Sequence, residues 1–170
     1  MRVAKSGGSP EVLVEGQAGM DQIVVDSESV FFRSNSGLWR VPKSGGKAEC
    51  LLPATPDHNV DRLVGDGSHL YFFQGIGSSG KYAVARLPKR GGAAETIAPV
   101  ANPTARLALS DTHVYYFRAA SLNDDALVKV PKSGGTPELV DGAGYSTGYL
   151  TVSGGDVYFT DINSLFRVPK

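Results

Sequence analysis

A six-residue stretch, VPKSGG, occurs twice in this sequence without change, at 41–46 and at 130–135. Variant copies read VAKSGG at 3–8 and LPKRGG at 87–92, and VPK stands again at 168–170. The first glycines of the four copies are separated by 38, 46 and 43 residues. A period of about 40 residues with several short strands per unit is typical of propeller blades. We therefore predict one repeat domain with units at approximately 1–40, 41–86, 87–129 and 130–170.

Each unit divides into four short segments that are separated by turn residues. One segment ends in a basic residue followed by Pro-Lys; after the Gly-Gly turn, the next begins with Glu. An apolar segment such as QIVVD (22–26) and an aromatic segment such as SVFFR (29–33) complete the unit. Glycines adopt positive φ without steric cost, and Val, Phe and Tyr favour strands. With no helical periodicity anywhere, the sequence predicts an all-β fold.

The aromatic segments are apolar on both sides of the strand alternation, as in Val30–Phe32 and Val114–Phe117. A sheet that is apolar on both faces has to be covered on both faces, as each blade is in a propeller. We therefore predict a β-propeller of four-stranded antiparallel blades. In the usual order from inside to outside, the apolar segment is strand A, the aromatic one B, the xxRVPK segment C and the Glu-led segment D.

Two basic positions recur in every unit. Lys5, Lys43, Lys89, Lys132 and Lys170 occupy one of them, and Arg2, Arg40, Arg86, Lys129 and Arg167 occupy the other. The lysines could form a cationic ring for an anionic ligand. Alternatively, these groups pair with the recurrent Glu11, Glu49, Glu95 and Glu138 across the C–D hairpin. We favour pairing, because opposite charges on facing strands stabilise a sheet.

The repeat phase starts with strands C and D and finishes with A, B and a further C. Three arrangements fit: a four-blade ring closed by one chain, an eight-blade ring made of two chains, or part of a longer propeller. Closure hides the sheet edges, which otherwise promote aggregation. We favour closure, with a homodimeric eight-blade ring as the preferred form and missing blades of a longer propeller as the other partner.

The segment VYFTDINSLFRVPK (157–170) resembles the YWTD-type propeller repeat, with Tyr158, Phe159, Thr160 and Asp161 at the Tyr-Trp-Thr-Asp positions. The VPKSGGTPE phrase at 130–138 is also similar to repeats of bacterial TolB-like and YWTD-like propellers. The other units depart from the YWTD motif. This resemblance implies protein or ligand binding rather than catalysis, and export to a periplasmic or extracellular location.

The A–B and C–D turns are short and nearly uniform, whereas the B–C and D–A loops differ in every unit. Strands that alternate in direction place the variable loops together on one face of a ring. Binding residues concentrate on loops held by a rigid scaffold. The candidate binding residues on these loops are Arg33, Asp57, His58, Gln74, Arg118, Asp124, Tyr145 and Asp161. The expected ligand is a protein or a glycan, although loop variation that is merely tolerated would leave the same pattern.

Other classes of function find little support. The 17 basic and 17 acidic residues balance, so nothing favours nucleic acid or an anionic membrane. We find no catalytic motif, no metal-ligand spacing and no cofactor motif, so we predict no enzyme, metal or cofactor. An enzyme with carboxylates gathered at a central channel is the remaining alternative. Cys50, the single cysteine, is predicted to be a small buried hydrophobe.

Overall fold

The predicted strands form antiparallel sheets in a computed structural model of the chain, which describes residues 1–3, 5–55, 59–77, 81–101, 106–121, 124–142 and 148–170. Within these residues the strands lie in four sheets, each a meander in chain order. The strands are β1 (Asp21–Val25), β2 (Ser29–Ser34), β3 (Gly37–Pro42) and β4 (Glu49–Pro53); β5 (Val60–Gly65), β6 (His69–Ile76), β7 (Lys81–Pro88) and β8 (Glu95–Ala101); β9 (Ala108–Leu109), β10 (His113–Ser121), β11 (Asp124–Pro131) and β12 (Glu138–Asp141); and β13 (Leu150–Ser153), β14 (Asp156–Thr160) and β15 (Leu165–Pro169). The all-β prediction is confirmed.

The chain divides into two compact units, Met1–Thr55 and Pro56–Lys170. The first unit contains the first sheet and an amino-terminal hairpin, in which Arg2 and Glu11 exchange two backbone hydrogen bonds of 2.7 Å. The second unit contains the other three sheets. In both units the C strand of a complete sheet pairs with a D strand that begins at glutamate, as the repeat pattern predicts.

The Gly-Gly turns have the backbone geometry that their sequence requires. The first glycine of each pair has φ between +84° and +92°, and the second between +119° and +145°. In the three complete sheets the amide of the first glycine donates to the carbonyl of the proline three residues before it, at 2.9 Å. Glycine adopts these φ values without the steric cost that a side chain would impose.

Both faces of β10, the aromatic strand of the third sheet, are buried. Tyr116 belongs to a cluster with Tyr71 and Phe73 of the second sheet, whereas its neighbours Tyr115 and Phe117 pack in a cluster that includes Phe159 of the fourth sheet. Successive side chains of a strand point to opposite faces. The third sheet is therefore packed between the second and the fourth, as a propeller blade is.

The fourth sheet has three strands, in the order β13-β14-β15. Among the described residues, no strand pairs with the outer edge of β15. The structure therefore describes a partial propeller of four sheets, and the predicted closure into a ring is not seen in it.

The prediction that Cys50 is buried is wrong. Cys50 lies on β4, the outermost strand of the first sheet, and its side chain is exposed. Leu51, the next residue, is the one that points into the sheet packing, with 9 % of its surface exposed. Successive side chains of the strand point to opposite faces, and this decides which of the two residues is covered. The apolar run ECLLP does not show which residue points inward.

Candidate functional site

The second recurrent basic position pairs with glutamate across each C–D hairpin, as predicted. The ion pairs Arg2–Glu11, Arg40–Glu49 and Arg86–Glu95 are 2.5 to 2.8 Å long, and Lys129–Glu138 is 3.8 Å. All four glutamate side chains are more than half exposed. Because exposed ion pairs contribute little individually, these pairs mainly support the strand register.

The recurrent lysines behave differently, and the prediction that they also pair with these glutamates is wrong for Lys43 and Lys132. Lys43 Nζ donates to the carbonyl of Asp26 in the A–B turn of its own sheet, at 3.1 Å. Lys132 Nζ donates to Asp66 Oδ2 in the A–B turn of the preceding sheet, at 2.8 Å. Both lysines follow the end of strand C, where the chain turns toward the A–B turns and away from the hairpin partner.

Asp66 is the centre of a polar contact between the second and third sheets, which we call the Asp66 joint. Its Oδ1 accepts the backbone N–H groups of Ser68 and His69, both at 2.9 Å. Its Oδ2 accepts the hydroxyl of Tyr71 at 3.0 Å and the ammonium of Lys132. Burial alone would raise the pKa of Asp66, but Lys132 and the turn N–H groups outweigh it and hold the pKa well below its ordinary value.

Two further contacts complete the Asp66 joint. The ammonium of Lys132 lies 5.4 Å from the centroid of the Tyr71 ring, within cation–π range. Arg86 Nη1 donates to the carbonyl of Lys132 at 2.8 Å while its other nitrogens bind Glu95. Burial and the charge of Asp66 raise the pKa of Tyr71. The uniform turns of the second and third sheets therefore connect these two sheets, a role that the repeat alone did not indicate.

The described candidate binding residues are spread over the four sheets, with Arg118 and Asp124 both on the third. Gln74 on β6, Arg118 on β10 and Asp161 after β14 stand at equivalent ends of the B strands. Arg33, on β2 in the first unit, donates to Asp21 Oδ2 at 2.9 Å. Asp124 opens β11, and its side chain is outside the described part. Asp57, His58 and Tyr145 lie outside the described residues.

Asp161 has a structural role in the loop where it lies. Its Oδ1 accepts the backbone N–H groups of Asn163 at 2.8 Å and Ser164 at 2.6 Å. Its own N–H donates to the carbonyl of Ser164 at 3.1 Å. These are the bonds of an Asx-type turn, which account for an aspartate here without a ligand.

Arg118 stands two residues after a buried tyrosine. The Tyr116 hydroxyl is buried and has no hydrogen-bond partner among the described residues. Burial raises the pKa of Tyr116 to about 12, and the positive charge of Arg118 partly opposes that shift. An orphaned hydroxyl of this kind costs about 1–3 kcal/mol. Phe32, Phe72 and Phe159 occupy the equivalent position in the other sheets.

Each unit contains surface cavities of its own. In the first unit, an apolar cavity of about 320 Å³ is lined by Ile23, Val25, Val30 and Phe32 of the first sheet together with Leu13 and Val14. In the second unit, a cavity of about 280 Å³ is lined by Ser110, Tyr115, Lys129 and Lys170, among others. The first is suited to an apolar partner, and the second carries two basic side chains.

Neither a metal site nor a membrane helix is found in the part of the chain that the structure describes. No three residues among its His, Cys, Asp and Glu side chains are grouped so that they could hold a metal ion. A helix of the length and apolarity needed to cross a bilayer is likewise absent from these residues.

No family model and no curated protein matches the sequence. Solved structures do match it. A nidogen/laminin complex aligns with a TM-score of 0.74 and 16% identity, over 98% of this chain and 66% of that chain. An oligogalacturonate lyase from Vibrio parahaemolyticus aligns with a TM-score of 0.78 and 13% identity, over 98% of this chain and 53% of that chain. A puromycin-hydrolyzing peptidase from Mycobacterium tuberculosis aligns with a TM-score of 0.68 and 18% identity, over 94% of this chain and 30% of that chain.

The nidogen/laminin and lyase structures are β-propellers. This chain has a β-propeller-type fold. At such low identity the likeness shows the fold alone, which leaves the YWTD-like and TolB-like resemblance as a prediction. The chain spans about two thirds of the nidogen/laminin chain that it matches and about half of the lyase.

Proposed function

We propose that this chain is a non-catalytic β-propeller scaffold that joins a second copy of itself in a closed eight-blade ring and carries a recognition face on its B–C and D–A loops. The observation that carries the proposal is the edge of the fourth sheet. There, in the part of the chain that the structure describes, β15 presents the C-strand pattern of every other sheet, and no Glu-led strand pairs with its outer edge.

The positive charge of Arg167 on β15 supports pairing of this edge with a strand that begins at glutamate. Arg167 stands opposite Tyr158, in the register that Arg86 has opposite Tyr71. Arg86 binds Glu95 at 2.7 Å, whereas the Arg167 side chain is 69% exposed and its one carboxylate neighbour among the described residues is Asp156, at 4.0 Å. The segment around Glu11 has the sequence of a D strand, and a second copy supplies it. In the dimer, Glu11 exchanges the ion pair with Arg2 of its own chain for one with Arg167 of the other copy.

Exposed apolar surface supports the same assembly. Ile23 and Val25 of the first sheet are 67% and 51% exposed. Leu165 of the fourth sheet and Tyr149, just before that sheet, are 74% and 66% exposed. Contiguous apolar surface of this kind marks protein interfaces. Each chain has exposed apolar side chains at its first sheet and at its fourth sheet. In a two-chain ring, the first sheet of one copy covers the fourth sheet of the other.

Light scattering on a sizing column tests the assembly, and a charge exchange tests the contact. Wild-type protein is expected to elute at twice the mass of one chain. Arg167→Glu and Glu11→Arg should each weaken the dimer at least tenfold, because each places like charges opposite one another. An equimolar mixture of the two variants should recover it, since only the mixed pair has both ion pairs.

The matched control is Arg90→Glu, an equal charge change at an exposed turn residue, which should leave the dimer intact. A monodisperse monomer would contradict the dimer and favour closure within one chain. A ladder of larger species would favour blades supplied by a longer protein. Failure of the mixture to recover the dimer would overturn the Arg167–Glu11 contact.

The alternative is a protein- or glycan-binding module within a longer exported propeller. It is supported by the chain's span of about two thirds and one half of the structures it matches. Glycan-array and pull-down measurements test it, with Gln74→Ala and Arg118→Ala as variants of the recognition face and Ser68→Ala on the uniform turns as control. A ligand retained equally by all variants would place recognition elsewhere.

A further inference from the structure

The turn before β10, Ser-Asp-Thr-His at 110–113, closes with hydrogen bonds equivalent to those of the turn before β6, Asp-Gly-Ser-His at 66–69, although three of the four residues differ. In the second sheet, Asp66 N–H donates to the His69 carbonyl at 3.0 Å, and His69 N–H donates to Asp66 Oδ1 at 2.9 Å. In the third sheet, Ser110 N–H donates to the His113 carbonyl at 3.0 Å, and His113 N–H donates to Ser110 Oγ at 3.0 Å. Ser110 therefore occupies the position of Asp66, with a hydroxyl in place of the carboxylate.

The other members of the Asp66 joint have counterparts between the third and fourth sheets. Tyr115 faces Lys129 across β10 and β11, as Tyr71 faces Arg86 across β6 and β7. The N–H of Lys170 donates to the Gly155 carbonyl at 2.9 Å, as the N–H of Lys132 does to Thr112. The tyrosine and both cationic positions are therefore kept, with Lys129 in place of Arg86, whereas the carboxylate of the turn stands one position later, at Asp111. We call this second contact the Ser110 joint.

A cavity of about 280 Å³ opens at the Ser110 joint. Its lining includes Ser110, Tyr115, Lys129 and Lys170, and also the carboxylate-bearing Asp111. Asp111 is exposed at the turn tip and forms no ion pair within 4.0 Å in the part of the chain that the structure describes. In the same part of the chain, the ammonium of Lys170 has no carboxylate within that distance, unlike Lys132 at the Asp66 joint.

We propose that the Ser110 joint binds a small carboxylate anion, whose carboxylate takes the place that the Asp66 side chain occupies in the joint of the preceding sheet. The Asp66 joint is the internal precedent, since it shows which groups this geometry brings onto a carboxylate: a lysine ammonium, a tyrosine hydroxyl and the polar atoms of the turn. Charge-assisted hydrogen bonds from such groups are the stronger kind.

The cations of the Ser110 joint are less closely paired with carboxylates than those of the Asp66 joint. Lys129 lies 3.8 Å from Glu138, whereas Arg86 binds Glu95 at 2.7 Å through two nitrogens. The Lys129 ammonium is therefore held less closely by its hairpin glutamate than the Arg86 guanidinium is by Glu95. Two cations and the carboxylate of Asp111 consequently line a cavity in which a hydroxyl stands at the position of the Asp66 carboxylate.

The experiment is a titration of the full chain with sodium acetate. Binding is monitored by the NMR chemical shifts of the backbone amides of Thr112 and Gly155. Sodium chloride at equal ionic strength is the reference. Acetate is expected to give saturable shifts at these two residues, and chloride is not. Lys170→Met should weaken acetate binding at least tenfold, and Arg90→Gln, an exposed charge outside the joint, should leave it unchanged.

Two exchange variants test the precedent directly. Ser110→Asp supplies an internal carboxylate to Lys170 and should abolish acetate binding without unfolding the chain. Asp66→Ser should create a second acetate site, reported by the amides of Ser68 and His69. Unsaturable shifts, shifts equal to those of chloride, or unchanged binding in Ser110→Asp would overturn the proposal. Tighter binding of inorganic phosphate than of acetate would overturn its assignment to carboxylates.

Discussion

Lys132 Nζ lies 2.8 Å from Asp66 Oδ2, an aspartate 66 residues earlier in the chain. The side chains of the two residues are only 15% and 25% exposed, so water screens this ion pair less than it screens the hairpin pairs. The pair links the turn of the third sheet to that of the second. It is the polar counterpart of the apolar cluster that Tyr116 and Phe73 share between the same sheets.

Asp66→Ala should lower the free energy of unfolding by about 2 kcal/mol, because it removes the partner of Lys132 and the acceptor of two turn amides. Urea denaturation monitored by circular dichroism measures it. Asp111→Ala, at an exposed position of the equivalent turn, should change stability by less than about 0.5 kcal/mol. Equal effects of the two variants would contradict a structural role for the joint.

The same aspartate predicts a dependence on pH. The pKa of Asp66 is held below its ordinary value in the folded chain, so the unfolded chain binds more protons in the acid range. The stabilisation is complete above the ordinary aspartate pKa and is lost as pH falls below it toward the folded value. The destabilisation by Asp66→Asn should therefore be smaller at pH 3 than at pH 7. A penalty that does not change with pH would show that the charge is unimportant.

Tyr116→Phe should leave stability unchanged or raise it by about 1 kcal/mol, because it removes a buried hydroxyl that has no partner in the described residues. Tyr71→Phe is the matched variant, and it should cost about 1 kcal/mol because the Tyr71 hydroxyl donates to Asp66 at 3.0 Å. Thermal unfolding of both variants measures the difference. A loss of stability in Tyr116→Phe equal to that in Tyr71→Phe would mean that the Tyr116 hydroxyl is bonded.

Gly37→Ala should destabilise the first sheet by about 2–3 kcal/mol. Gly37 has φ +135°, and a Cβ there would stand 2.2 Å from the carbonyl oxygen of Leu52 on the adjacent strand. Gly67→Ala is the control, since nothing lies within 4 Å of its Cβ position. Chemical denaturation compares the two, and equal stability of both variants would contradict the close approach of β3 and β4.

Phe159→Ala should cost about 3–5 kcal/mol, the range for truncating a buried aromatic side chain. Phe159 is 1% exposed, with the Phe117 ring at 5.2 Å and the stacked Phe166 ring at 5.0 Å between centroids. Ile162→Ala, at a side chain that is 80% exposed, should change stability by less than about 0.5 kcal/mol. A small effect at Phe159 in a calorimetric scan would show that the fourth sheet is loosely packed.

Local features of the fold could be predicted, and contacts between sheets could not. The Gly-Gly turns and the Arg86–Glu95 pair follow from residues nine or fewer positions apart, so the repeat pattern predicts them. Lys132 was assigned to a hairpin glutamate because no local signal indicates which turn of a neighbouring sheet it meets. Of the candidate binding residues, Asp161 proves to hold its own turn, because Asx bonding uses the same residue type as ligand binding.

The sequence by itself determined the all-β class, the strand order within each sheet and the hairpin ion pairs, since all of these depend on contacts inside one repeat. Only the tertiary structure decided that Asp66 receives Lys132, that Ser110 leaves a cavity at the equivalent joint, and that Cys50 is exposed while Leu51 is covered. The physical reason is that stacking sheets brings together residues from different repeats, and their pairing depends on geometry that the period does not encode.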